Sequence, residues 1–162
     1  MENKITGFEK HMDYFDNWRE WFRSPASPAL IRAAEAKLGY PFSPQHKVFL
    51  ATYGGGKIID IAIFGVNDLV WWNLDLMPSE WWPQSWFVLG RDGYGNYLVS
   101  DVQHPGLFGE YEVWFVDHEE VIGDDTPYTR LSRDFFGMLG WAVEDMKGMY
   151  SPQGKSLGHS DR

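Results

Sequence analysis

The chain has no cysteine, which excludes disulfides and thiolate metal sites and suits a reducing compartment. It also has no apolar run near the ~18 residues that span a bilayer as a helix. The first fifteen residues, MENKITGFEKHMDYF, carry charges throughout and no unbroken apolar stretch, so no secretory signal is read there. Bases are scarce in one place. Between residues 58 and 129 the single Lys or Arg is Arg91, against thirteen Asp and Glu. That block carries about −12, while residues 1–57 carry about +2 and residues 130–162 about +1. A block this acidic repels nucleic acid and anionic lipid and attracts a basic partner. The plainer alternative is that its acids only keep the protein soluble. The expectation is a soluble, cytoplasmic protein.

Aromatic residues are abundant: 17% of the chain, with nine Trp. Rings on this scale bury large apolar areas and argue against disorder. At 162 residues the chain reads as one domain over 1–150 with a polar, disordered tail over 151–162. A helix is expected over residues 6–22, with Phe8, Met12, Phe15 and Phe22 on one stripe and Trp18 beside it. Two short helices follow with matching punctuation. Ser27 caps, Pro28 opens and Gly39 closes the first; Ser43, Pro44 and Gly54 do the same for the second. Leu30, Ala34 and Leu38 are expected inward on the first, and Val48, Phe49 and Thr52 on the second.

From Lys57 the pattern turns to strands. KIIDIAIFG is β-branched, and VNDLVWWNLDL reads as a short helix begun by Asn67 or Asp68. WFVLG and NYLVSD read as strands joined by RDGY, and EYEVWFVDHEEV as a longer strand with one apolar face. GDDTPY is a turn, and a last helix capped by Ser132 points Phe135, Met138, Leu139, Ala142, Val143 and Met146 inward. Strands this close together leave no room for helical crossovers. The fold class is therefore α+β: N-terminal helices, a mainly antiparallel sheet, and a C-terminal helix packed on it.

The stretch VLGRDGYGNYLVSD, Val88 to Asp101, invites a chemical reading. Counted from Asp92 as a calcium loop, it puts Tyr94, Tyr97 and Gln103 where an oxygen ligand, Gly and Glu belong. Counted from Gly93 as a dinucleotide fingerprint, it has Leu98 at the third glycine and a strand after it. It reads as a β-turn, with Gly93, Gly95 and Asn96 tolerating the required backbone shapes. His118 lacks the second His of a zinc-protease helix, and Ser100, Asp101 and His104 lack a nucleophile elbow. Glu110, Glu112 and Glu119 imitate a glycosidase pair only by type, since nothing opposes them across a cleft. No catalytic residue, metal or cofactor is assigned. Each Trp pair, Trp71–Trp72 and Trp81–Trp82, places its two rings on different faces, so one of each is a candidate for exposure at an interface.

Four stretches carry a family likeness. AEAKLGYPFSPQHKVFLATYGGG has a helix ending in Leu-Gly, a proline link, a second helix and a glycine stop. IFGVNDL, VLGRDGYGNYLVSD and LSRDFFGML follow in order. The chain resembles the SUKH superfamily, which includes bacterial immunity proteins and the yeast cell-wall synthesis regulator; the likeness spans roughly residues 27–140. It departs at Pro41-Phe42, where Leu-Pro is usual, at Gly54-Gly55, where Asn-Gly is common, and at Asn96, where the central hairpin usually has an acid. The resemblance implies an immunity protein that has no chemistry of its own and blocks a toxin domain, often a nuclease with a basic site. An acidic inhibitor complements such a site. The expected contact residues are Asp101, Glu110, Glu112, Asp117, Glu119, Glu120, Asp124 and Asp125, with Trp71, Trp81 and Tyr94 as aromatic anchors. The expected partner is a cognate basic toxin, with no direct nucleic acid and no membrane, and the protein itself a monomer or weak dimer. The alternatives are a regulatory scaffold without a toxin and a carbohydrate-binding protein.

Overall fold

A computed structural model describes residues 2–80, 82–118 and 128–158. Helices α1 (Glu2–Met12), α2 (Pro28–Leu38) and α3 (Pro44–Tyr53) come first. The hairpin β1 (Gly56–Ile58) and β2 (Ile61–Ile63) follows, then α4 (Val66–Trp71). Strands β3 (Trp86–Arg91), β4 (Tyr97–Asp101), β5 (Val113–Val116) and β6 (Tyr128–Ser132) lead to α5 (Phe135–Met149). The strands lie side by side in chain order, and every neighbouring pair is antiparallel. The expected α+β architecture is the one observed. Among the described residues no helix is long and apolar enough to cross a membrane.

The sheet is covered on both faces. On one, α5 packs against β1 and β6, with α1 and α3 against α5. Phe87 meets Phe42 and His46 there, and Phe135 stacks on His46. The six residues of α5 expected inward are all buried, and Phe136 joins them. Burying each large apolar side chain contributes about 1.5–3 kcal/mol. On the other face, Tyr97 meets Trp72 and Trp82. There the Asn73 side chain donates to the Val88 carbonyl at 3.0 Å and accepts from its N–H at 2.8 Å, extending the ladder beyond β2.

Both proline-opened helices form as expected. The Ser27 Oγ accepts from Leu30 N at 3.1 Å and the Ser43 Oγ from His46 N at 3.2 Å, while Gly39 and Gly54 close the helices in the left-handed region. The glycines after α3 serve packing as well as termination. A Cβ on Gly54 would fall 1.9 Å from the Ser24 carbonyl oxygen, and one on Gly55 2.6 Å from the Gly65 nitrogen.

Several expectations are corrected. The first helix stops at Met12 rather than running to residue 22. Asp13 accepts the Trp18 indole N–H at 2.9 Å, Asn17 turns left-handed, and Trp18–Trp21 form a separate 3-10 turn. Short polar side chains that bond locally compete with the helix, yet Phe8, Met12, Phe15 and Trp18 are all buried. On α2 the inward row is Ile31, Ala34 and Leu38, with Leu30 exposed. On α3 it includes Phe49, Leu50 and Tyr53, with Thr52 exposed. Helix α4 begins at Val66 after Gly65 and continues into a wider π-type turn, Trp72–Leu76. KIIDIAIFG, read as strand-like, supplies most of the β1–β2 hairpin. A register shift at Val113–Trp114 breaks the expected alternation along β5. Residues 128–132 form a sixth strand, so Ser132 belongs to the sheet and Asp134 caps α5, accepting from Gly137 N at 2.8 Å. The expected GDDTPY turn lies outside the described residues up to Pro127. After α5 the chain folds back as far as residue 158. Asp16 N donates to the Pro152 carbonyl at 2.8 Å and Leu157 N to that of Met149 at 3.0 Å; the rest of the expected tail, 159–162, lies outside the described residues.

Candidate functional site

The acids expected to form one surface divide between the two ends of the sheet. Tyr97 pairs with Val116, so the β3–β4 turn and Asp117 share one end. Asp101 closes β4 at the other, beside the chain that brings Glu110 and Glu112 into β5. Glu119, Glu120, Asp124, Asp125 and Trp81 lie outside the described residues. Val116 and Tyr128, which flank the four acids in sequence, pair with each other at the Asp117 end.

At that end the chain forms the turn read from sequence. Asp92 Oδ1 accepts from Tyr94 N and Asn96 N, each at 2.9 Å, and Oδ2 from the Asn96 amide at 2.9 Å. Asn96 Oδ1 in turn accepts from His118 N at 3.1 Å. Gly95 supplies the positive φ of 87° that this closure needs. Asp92 therefore holds the turn. Tyr94 stands at its tip, 70% exposed, on a backbone pinned from both sides.

At the opposite end the fold itself takes up the acids. Asp101 accepts from Gln103 N at 3.0 Å and sits 3.0 Å from His104 Nδ1. Glu112 lies 3.6 Å from Arg130. Glu110 is buried: Oε2 accepts from Gln45 N at 3.0 Å at the start of α3, and Oε1 has no hydrogen-bond partner. Burial pushes its carboxyl pKa up, against the pull of that Gln45 bond. It is a structural group and presents no carboxylate to a partner. Nearby His46 stacks on Phe135 at 4.3 Å, and burial lowers its pKa to about 3. Sequence reading missed Leu107 and Phe108 between these acids. Phe108 is 93% exposed and left-handed, with φ 58°; the signal was two large apolar residues inside a Pro-Gly loop.

Trp71 is half exposed on α4 beside exposed Leu74 and Leu76, whereas Trp72 turns inward onto Phe64, so this Trp pair does split between faces.

A cleft of about 740 Å³ opens beside the β1–β2 hairpin and is lined by Trp21, Phe64, Trp72, Arg23, Lys57 and Arg91 among others. Ile59 also lines it and has φ 53°, a conformation that costs a β-branched residue about 1–3 kcal/mol. Arg23 is 3.1 Å from Asp68, and the Arg91 guanidinium lies 5.2 Å from the centre of the Trp72 ring. Sequence reading marked Arg91 only as the lone base of the acidic block.

This architecture has relatives. The uncharacterized protein YnaB of Bacillus subtilis (strain 168) is 29% identical over 80 residues, 49% of this chain and 53% of that protein. The chain thus spans about half the length of that curated relative. The SMI1 / KNR4 family (SUKH-1) model matches residues 25–141, which contain the paired proline-opened helices, the six-stranded sheet and the first half of α5. The chain belongs to the SMI1 / KNR4 family (SUKH-1).

Proposed function

We propose that the protein is an immunity protein that binds a cognate toxin domain of basic character, a nuclease by the charge argument, through the end of the sheet that carries Tyr94, Asp92 and Asp117. Family membership supports an immunity or regulatory role. The observation that carries the finer reading is Tyr94, largely exposed at the tip of a turn that Asp92 and Asn96 hold in place. A rigid exposed aromatic among acids combines the two features that interfaces use: an anchor that gains by burial, and charge that steers a basic partner. Glu119, Glu120, Asp124 and Asp125 follow Asp117 in sequence.

The test is affinity capture from the source cell, followed by co-expression. The expected partner is a basic protein that arrests growth alone and is neutralised by this chain. Tyr94→Ala with Asp117→Lys should weaken binding by at least about tenfold at low salt. Unchanged affinity in that double variant, or a captured partner with no toxicity, sinks the proposal. A second reading, a regulatory scaffold, draws on the exposed Leu107–Phe108 pair at the other end of the sheet, since two separate surfaces suit two partners. A non-toxic partner lost on Phe108→Ala would favour it.

A further inference from the structure

We propose that the cleft beside the β1–β2 hairpin is a binding site for a small phosphate monoester with a flat apolar body, of mononucleotide size. The sheet register builds it. Lys57 pairs with Ala62, and Ala62 pairs with Arg91, so the three residues form one row on one face of β1, β2 and β3. Adjacent strands are about 4.8 Å apart, which sets the outer two backbones about 10 Å apart. The middle residue is the smallest side chain such a row can carry without losing its Cβ. Two long cations thus flank a shallow floor, with Trp21, Phe64 and Trp72 lining the same cleft.

The charge is available. Among the described residues neither Lys57 nor Arg91 forms an ion pair. The Arg91 guanidinium lies over the Trp72 ring, a contact that leaves its charge unneutralised by any carboxylate of the described residues. Arg23, by contrast, is engaged by Asp68. Two free cations in a concave site, within a chain of formal charge −9, concentrate positive potential in one place. A dianionic phosphate matches two cations better than a monoanionic carboxylate does. The volume falls within the roughly 300–1,000 Å³ of small-molecule sites. Ile59, whose positive φ the two-residue β1–β2 turn requires, adds its apolar side chain to the lining.

This site does not depend on the toxin-binding reading, and purified protein alone tests it. The probes are adenosine 5′-monophosphate, adenosine and inorganic phosphate, followed by calorimetry and by Trp fluorescence. Saturable binding of the monophosphate is expected with a Kd in the range of about 10 μM to 1 mM. Adenosine and phosphate should each bind at least about tenfold more weakly, since each lacks half the contacts. Lys57→Ala and Arg91→Ala should each weaken the monophosphate about tenfold. Ala62→Leu should abolish binding by filling the floor, with a melting curve to verify folding; Lys57→Glu, at an exposed position, serves if that variant does not fold. No saturable binding up to about 5 mM overturns the inference. So does binding that Lys57→Ala and Lys57→Glu leave unchanged, or adenosine binding as tightly as its monophosphate.

Discussion

The two ends of the sheet carry similar acids and put them to different uses. At the Asp101 end, Glu110 closes the start of α3 from a buried position, Glu112 faces Arg130, and Asp101 holds its own turn. At the Tyr94 end, Asp92 also holds a turn, but that turn lifts an aromatic ring into solvent. Formal charge along a sequence is therefore a poor count of charge offered to a partner. The acidic block also borrows bases from its flanks: Arg23 reaches Asp68 and Arg130 reaches Glu112. Exposed pairs of this kind contribute at most about 1 kcal/mol to stability, yet they cancel much of the field a partner would feel.

Substitutions can break or sharpen this contrast. The largest effect is expected at the buried end. Glu110→Lys places a cation in a buried site against a helix N-terminus and should cost about 3–5 kcal/mol in urea unfolding. Asp117→Lys at the other end should stay within about 0.5 kcal/mol. Equal losses would erase the distinction between the two ends.

Next comes pH. His46 has a folded pKa lowered to about 3 from an ordinary 6.5, so its contribution is present above pH 6.5 and is lost as pH falls towards 3. Between pH 7 and pH 5 this should remove about 2 kcal/mol, and His46→Leu should flatten that slope in unfolding curves. Glu110 acts in the opposite sense. Its pKa is raised by burial, so its contribution is greatest below the unfolded value of 4.5 and declines as pH rises. Glu110→Gln should therefore remove a gain in stability on acidification.

Smaller still is the turn. Asp92→Ala removes three hydrogen bonds at the tip and should cost about 1–2 kcal/mol, with faster amide exchange at Tyr94 and Asn96. Glu112→Gln should be smallest, below about 0.5 kcal/mol, because its ion pair is partly solvated.

Legibility followed the range of the interaction. The helices bounded by Ser-Pro and Gly were read almost to the residue, because a cap and a left-handed stop act within four residues. The β3–β4 turn was legible for the same reason, since Asp92, Gly95 and Asn96 satisfy one another. The break after Met12 was missed because the apolar stripe from Phe8 to Phe22 keeps helical spacing through it. Local bonds of Asp13 and the left-handed Asn17 decided against the helix. The sixth strand was missed because residues 128–132 are mostly polar and depend on β5 for their partners. At the site, Tyr94 and Trp71 were legible as exposed aromatics. The burial of Glu110 was not, because it depends on Gln45, a residue distant in the chain.

By itself, then, the sequence determined the helix ends, the central turn, the antiparallel character of the sheet and the family to which the chain belongs. All of these arise from short-range backbone preferences or from an ordered set of them. Only the tertiary structure decided which acids remain available, and only it set Lys57, Ala62 and Arg91 in one row. Both depend on strand register and on burial against distant segments, and neither leaves a mark within a few residues of chain.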